Sequence, residues 1–151
     1  MKRLIQYLFS SGHVLTDHSI YDGVNSAKYE KSGLTLKEAV EITNEIKTAF
    51  EYNKLYKNNA VGLGDLAKHI GRDRYKVSQV LNEYMSKNFY ALLNQYRITE
   101  AKDLLLSQPF LSVKAIMYEV GFNSKTSFYG AFKKETGLSP NDFRSFTLHA
   151  S

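Results

Sequence analysis

The sequence predicts an all-α fold in which two helix-turn-helix units follow one another and a long helix joins them. Apolar residues recur at helical spacing in several segments from residue 35 onward, and glycines separate these segments. The pattern of the first unit then returns about 50 residues later, including its glycine turn and its helix cap. These two observations predict a tandem pair of one supersecondary unit.

Length and composition restrict the possible functions. The 151 residues are enough for one ordinary domain or two very small ones, and 43% hydrophobic residues permit a core. The absence of Cys excludes disulfides, Cys-zinc sites and thiol nucleophiles. The net charge is +5, and 12 basic against 8 acidic side chains lie from Ala60 onward. This excess modestly favours an acidic polymer as partner.

The first 33 residues show no firm periodicity, and we interpret residues 1–33 as a tail or the remnant of a longer chain. The apolar run near the start is six residues long and contains Gln6, whereas a membrane span needs about 20 apolar residues. The sequence contains no such stretch. We therefore expect no membrane span and a cytoplasmic location.

A leading helix is predicted over residues 34–58. Thr35 and Glu38 form a T-x-x-E capping box at its head. One apolar stripe follows at helical spacing, and it consists of Ala39, Ile42, Ile46, Ala49 and Phe50.

The first helix-turn-helix unit is predicted at about 63–85. Gly71 suits the end of its first helix because glycine tolerates a positive φ, and Asp73 caps its second helix. The inward positions are Leu63, Leu66, Ala67, Ile70, Val77, Val80, Leu81 and Tyr84. A connecting helix is predicted over 88–106.

The second unit, at about 113–136, repeats the first. Gly121 corresponds to Gly71, and Ser124 corresponds to Asp73. A final helix over 139–147 begins at Ser139-Pro140. The inward positions of the repeat are Val113, Ile116, Met117, Val120, Phe128, Ala131 and Phe132. A helix, a tight glycine turn and a second helix form the unit that places a helix in a DNA groove.

Three segments carry a family resemblance, which covers roughly residues 48–147. They read LAKHIGRDRYKVSQVL, YRITEAKDLLL and EVGFNSKTSFYGAFKKETGLSPNDFR. Together they resemble the AraC/XylS family of bacterial transcription regulators, and the third follows the family signature almost throughout. Departures include Asp73 for Ser, Ser86 for Gly, Met117 for Ala and Gly130 for a long polar residue.

The resemblance implies an AraC-type DNA-binding domain that needs no cofactor. Its partners would be double-stranded DNA and RNA polymerase, and its two recognition helices would enter successive major grooves. Most family members also carry an effector-binding β-domain, for which the residues before position 48 are too few. The effector domain would then be absent or on a missing N-terminal part.

The length of the predicted connecting helix agrees with this mode of binding. Its 19 residues, 88–106, would span roughly 28 Å at 1.5 Å per residue. Successive major grooves on one face of DNA lie about 34 Å apart, and bending of the DNA would supply the difference.

The predicted DNA-contacting residues lie opposite the apolar face of each recognition helix, where Arg, Gln and Tyr can read bases and Lys can bind phosphate. For every one of them the alternative is an ordinary solvated helix face. In the first helix they are Arg74, Tyr75, Lys76, Ser78 and Gln79, and in the second Asn123, Ser124, Lys125, Thr126, Ser127, Tyr129 and Lys133. The Gly130 substitution predicts weaker discrimination by the second helix.

Catalysis finds no support in the sequence. The four His residues are scattered, and neither a metal-protease motif, a phosphate-binding loop nor a nucleophile elbow is present. We therefore expect no enzyme and no metal site. The alternative function is a protein-interaction module that kept the fold but lost DNA binding. Arg97 could bind phosphate or pair with Glu100, although a structural role is favoured.

Overall fold

The computed structural model describes residues 32–150, and this range contains seven α-helices and no β-strand. The predicted all-α fold class is confirmed. The described chain forms two compact units, one from residues 32–49 and 62–89, the other from residues 50–61 and 90–150. The predicted tail, residues 1–33, lies outside the described residues except for its last two positions.

Helix α1, Leu36–Glu51, is the leading helix. Only half of the predicted capping box forms. The Thr35 hydroxyl accepts a hydrogen bond from the Glu38 amide at 3.2 Å, but the Glu38 carboxylate binds Lys76 and not the Thr35 amide. The helix ends at Glu51 rather than at residue 58. Lys54 then adopts a left-handed conformation with φ of 53°, which is incompatible with a continuing helix, and a 3-10 turn covers Leu55–Lys57.

The first helix-turn-helix unit consists of α2, Leu63–Ile70, and α3, Arg74–Gln79. Gly71 takes a φ of 67° at the end of α2. The Asp73 carboxylate accepts hydrogen bonds from the amides of Tyr75 and Lys76 at the start of α3. The buried apolar residues of this compact unit include Ala39, Ile42, Ile46, Leu66, Ala67, Val77, Val80 and Leu81.

The end of the first recognition helix departs from a regular α-helix. After α3, the chain continues as a π-helical turn over Val80–Tyr84. Ser86 follows with a φ of 53°, a left-handed conformation that glycine adopts more easily than any other residue. At the corresponding point of the second unit Gly137 has a φ of 78°. The family's Gly at the position of Ser86 thus has a conformational reason.

The other compact unit contains four helices: α4, Phe89–Ser107; α5, Val113–Glu119; α6, Lys125–Thr136; and α7, Pro140–His149. The first residue of α4, Phe89, belongs to the first unit, and the helix from Tyr90 onward belongs to this one. Hydroxyls of Ser112, Ser124 and Ser139 cap the last three helices. The core cluster of this unit is formed by Ile98, Ala101, Leu105, Ile116, Met117, Val120, Phe122, Phe128 and Phe132. Partly buried Phe143 from α7 packs against it.

The glycine turn of the second unit is closely packed. Gly121 has a φ of 100°, and a Cβ added there would lie 2.4 Å from the Tyr56 carbonyl oxygen. Arg97 donates to that same oxygen from Nε at 2.8 Å and to the Asn58 carbonyl from Nη2 at 2.9 Å. The segment after α1 therefore helps to fix the turn that precedes α6.

Candidate nucleic-acid interface

The first recognition helix presents two exposed side chains at its start. Asp73 fixes the N-terminus of α3 through its two amide hydrogen bonds, and fully buried Val77 fixes its inner face. Arg74 and Tyr75, in the first turn, are both exposed, Tyr75 at 73%. A guanidinium and a phenol ring thus stand on a short helix whose position is fixed at its start and along its inner face.

Three other predicted residues of this helix are half-buried and engaged within the chain. The Lys76 ammonium lies 2.8 Å from Glu38 Oε1 and 3.0 Å from Oε2. Gln79 donates from Nε2 to Glu83 Oε2 at 2.9 Å, and its Oε1 accepts from the Ser32 hydroxyl at 2.6 Å. Ser78 lies beside Asn82, whose amide donates to the Ser78 carbonyl. Their exposure is therefore lower than the helical phase alone predicts.

Arg72 is a basic residue of this unit that sequence reasoning missed. It lies in the turn between α2 and α3 and holds Glu45 through two hydrogen bonds of 2.8 and 2.6 Å. A third bond of 3.2 Å reaches Glu41. These hydrogen bonds raise the pKa of the Arg72 guanidinium, and the hydrogen bonding to Glu45 has the largest effect. The spacing of Glu38, Glu41 and Glu45 on one face of α1 was the available signal.

The second recognition helix presents a longer exposed face. Ser124 caps α6 by accepting from the Ser127 amide at 3.4 Å. Phe128 and Phe132 are fully buried on its inner face. Exposed positions on or just before this helix include Asn123, Lys125, Thr126, Ser127, Gly130 and Lys133.

Tyr129 is half-buried and contacts three neighbouring side chains. Its ring packs against the core cluster and meets the Phe128 ring edge-on at 5.9 Å between centroids. The Asn141 side-chain amide lies 3.3 Å from its hydroxyl, and the Lys125 ammonium lies 5.1 Å from its ring centroid. Tyr129 thus contributes to packing as well as to the outer edge of α6.

Arg97 is buried, with 6% of its surface exposed. Its guanidinium binds backbone carbonyls and lies 5.2 Å above the Phe122 ring. Burial lowers the pKa of this guanidinium. Its position matches the favoured structural role, since it anchors the chain against the turn before α6.

Two side chains of the 3-10 turn after α1, Leu55–Lys57, bind acidic residues. Lys57 lies 2.8 Å from Glu119 and 3.5 Å from Glu100, and the hydrogen bond to Glu119 raises the pKa of Lys57 more than any other interaction does. The Tyr56 hydroxyl donates to Glu100 at 3.1 Å. Burial first and then Glu100 raise the pKa of Tyr56. These contacts join the 3-10 turn to α4 through Glu100 and to α5 through Glu119.

Residues 32–150 contain neither a candidate metal site nor a membrane-spanning helix. In this range no group of three or more His, Asp or Glu side chains could hold a metal ion. No helix in the same range is long and apolar enough to cross a membrane.

Comparisons with known proteins give a consistent result. A family model described as a helix-turn-helix domain matches residues 66–145. The xylose operon regulatory protein of Haemophilus influenzae is 31% identical over 84 residues, which cover 56% of this chain and 21% of that protein. The arabinose operon regulatory protein of Escherichia coli is 28% identical over 104 residues, or 68% of this chain and 35% of that protein.

A solved structure shares the fold. The C-terminal domain of AraT, a response regulator from Geobacillus stearothermophilus, superposes with a TM-score of 0.61 at 25% identity. The match covers 70% of this chain and 84% of that domain. The chain spans about a fifth to a third of the two curated relatives. The tandem helix-turn-helix units, the family match and these relatives establish that the chain belongs to the AraC/XylS family of transcription regulators.

Proposed function

We propose that this chain binds specific sequences of double-stranded DNA through α3 and α6, which enter successive major grooves, and thereby regulates bacterial transcription. The observation that carries the proposal is the repeated placement of polar side chains. In each unit they stand on the outer face of a helix whose start is capped and whose inner face is buried. A helix held in this way can present side chains to base edges with a fixed register.

The side chains of α3 supply the chemistry for base recognition. Arg74 can donate two hydrogen bonds to guanine O6 and N7, and Tyr75 can contact a thymine methyl group. Gln79 has the amide that adenine recognition uses, once its present partners release it. Ser78 adds a hydroxyl, and Lys76 adds a positive charge for phosphate.

In the second unit, the outer positions favour contacts to the DNA backbone. The helix N-terminus at Asn123 and Ser124 suits a phosphate, because amides and the helix dipole favour negative charge there. Lys125 and Lys133 add positive charges, and Thr126, Ser127 and Tyr129 add hydroxyls. Gly130 has no side chain and has open space around it. We therefore expect α6 to discriminate between bases less than α3 does.

The connecting helix supports a two-groove mode of binding. α4 has 19 residues, so it is roughly 28 Å long. The grooves on one face of DNA are about 34 Å apart, and a modest bend costing a few kcal/mol would bring them within reach. The curated relatives are named as operon regulatory proteins, which favours RNA polymerase as a further partner. A bacterial DNA-binding role also implies a cytoplasmic location.

Salt dependence of DNA affinity tests the proposal. For a random-sequence duplex pool, log affinity should fall linearly with log salt, with a slope of about −0.9 per neutralised phosphate. Arg74→Ala, measured on a preferred duplex, should lose about 1–3 kcal/mol of discrimination at one half-site. Lys37→Ala removes one charge from an exposed position on α1 and should leave sequence preference unchanged. A chain that shows no affinity for duplex DNA, or a salt-independent one, would contradict the proposal.

A further inference from the structure

The leading segment and the first recognition helix are joined by a ladder of polar contacts. Ser32 bonds Gln79, Glu38 binds Lys76, and Glu41 and Glu45 bind Arg72. The partners run in opposite order along the two segments, so the start of the leading segment meets the end of α3. We name this set of contacts the α1–α3 ladder.

Two contacts of the ladder involve side chains with a role in the proposed DNA binding. The carboxylate of Glu38 contacts the Lys76 ammonium through both oxygens. Both side chains are mostly shielded, with 23% of Glu38 and 28% of Lys76 exposed. A carboxylate in this position offers Lys76 the same kind of anionic oxygen that a DNA phosphate would offer. The Lys76 ammonium has three N–H donors, so its contacts with the two Glu38 oxygens leave fewer donors and less uncompensated charge for a phosphate.

Ser32 acts on Gln79 in a similar way without a charge. Its hydroxyl donates to Gln79 Oε1 at 2.6 Å, while Gln79 Nε2 donates to Glu83 at 2.9 Å. Both ends of the amide are thus engaged inside the chain. A bidentate contact with adenine uses both an acceptor and a donor of this amide.

We propose that Glu38 and Ser32 are determinants of DNA affinity, because they hold Lys76 and Gln79 in intramolecular contacts that compete with DNA. This inference rests on the proposed function. The contacts of Arg72 have a structural role, because Arg72 lies in the turn between α2 and α3 and its two hydrogen bonds to Glu45 hold α1 against that turn.

The decisive variant is Glu38→Gln, which removes the competing charge at nearly constant size. Its salt slope for a random-sequence duplex pool should steepen by about 0.9, the contribution of one additional phosphate contact. Its affinity advantage over the parent chain should then shrink about 3.5-fold between 50 and 200 mM salt. Adding Lys76→Gln to this variant should abolish the gain.

Glu41→Gln is the matched control. It makes the same charge change on the same face of α1 and removes one Arg72 contact of 3.2 Å, while the fork to Glu45 remains. Its salt slope should equal that of the parent chain. A slope change as large in Glu41→Gln as in Glu38→Gln would overturn the proposal, because general charge would then explain both.

Ser32→Ala tests the second contact without touching a charge or a helix. It should raise affinity for a preferred duplex and leave the salt slope unchanged. Lower affinity in Ser32→Ala would overturn the proposal, because Ser32 would then position Gln79 for DNA. An unchanged salt slope in a folded Glu38→Gln would also overturn it, because Glu38 would then not compete with phosphate for Lys76. Duplex DNA binding by the parent chain distinguishes this inference from the proposed function. If the parent chain does not bind duplex DNA, the proposed function is wrong. If it binds and the Glu38→Gln and Ser32→Ala variants bind with the same affinity and salt slope as the parent, only this inference is wrong.

Discussion

Replacement of Phe132 by Ala should destabilise the chain strongly, because Phe132 lies at the centre of the second unit's core. The ring is fully buried. It meets the Phe128 ring at 5.8 Å and the Phe143 ring at 5.5 Å, both edge-on. Burial of a Phe side chain contributes about 1.5–3 kcal/mol, and each such ring pair about 0.5–1.5 kcal/mol more. We therefore expect the free energy of unfolding to fall by about 3–5 kcal/mol, as in other buried Phe truncations.

Lys125→Ala is the contrasting variant on the same helix. Lys125 is exposed, and its ammonium lies 5.1 Å from the centroid of the Tyr129 ring. An exposed cation–π contact contributes about 0.5–1 kcal/mol, so thermal stability should change little while DNA affinity falls. Denaturant unfolding and duplex DNA binding, measured on both variants, separate the inner and outer faces of α6. If Phe132→Ala unfolds like the parent chain, the core assignment of that face is wrong.

Three glycine substitutions follow from backbone geometry. Ser86→Gly should raise the free energy of unfolding by about 0.5–1 kcal/mol, because it relieves a left-handed residue, and an unchanged or lower denaturation midpoint would contradict this. Gly130→Ala should add up to about 1 kcal/mol of stability at a helix position with open space, and a loss of stability in thermal melts would refute that reading. Gly121→Ala should destabilise by more than about 1 kcal/mol, because its Cβ would meet the Tyr56 carbonyl at 2.4 Å; near-native melting would show that the turn is not tightly packed.

Local sequence patterns were sufficient where local physics decides the structure. The fold class followed from helical periodicity and from the repeat. The helix caps Asp73 and Ser124 could be predicted from residue type and position. In the structure the Asp73 carboxylate and the Ser124 hydroxyl both accept hydrogen bonds from backbone amides. Gly71 and Gly121 likewise have the positive φ that a glycine between two helices indicates.

Long-range contacts account for what the patterns missed. Helical phase placed Lys76 and Gln79 on the outer face of α3, but it carried no information that Glu38 and Ser32 would meet them. Glu38 likewise fits a capping box by spacing, yet its carboxylate binds Lys76. Such pairings depend on how the leading segment packs, which periodicity in either segment does not report.

The end of the leading helix shows the same limit at the backbone level. Its apolar stripe continues to Phe50, and the next Gly or Pro is Gly62, well beyond the end of the helix. The helix nevertheless stops at Glu51, and Lys54 adopts a left-handed conformation. Arg97, which follows far along the chain, binds the carbonyls of Tyr56 and Asn58 just beyond this point. A partner so distant in sequence leaves no local signal.

Selection of binding sites from a pool of random duplex DNA tests the central claim most directly. If α3 and α6 each read a major groove, the enriched sequences should contain two elements about one helical turn, or roughly 10 base pairs, apart. The element lost in Arg74→Ala should be the more sharply defined of the two. A pool that yields no enriched sequence, or a single short element that survives changes to one of the helices, would contradict recognition by two helices.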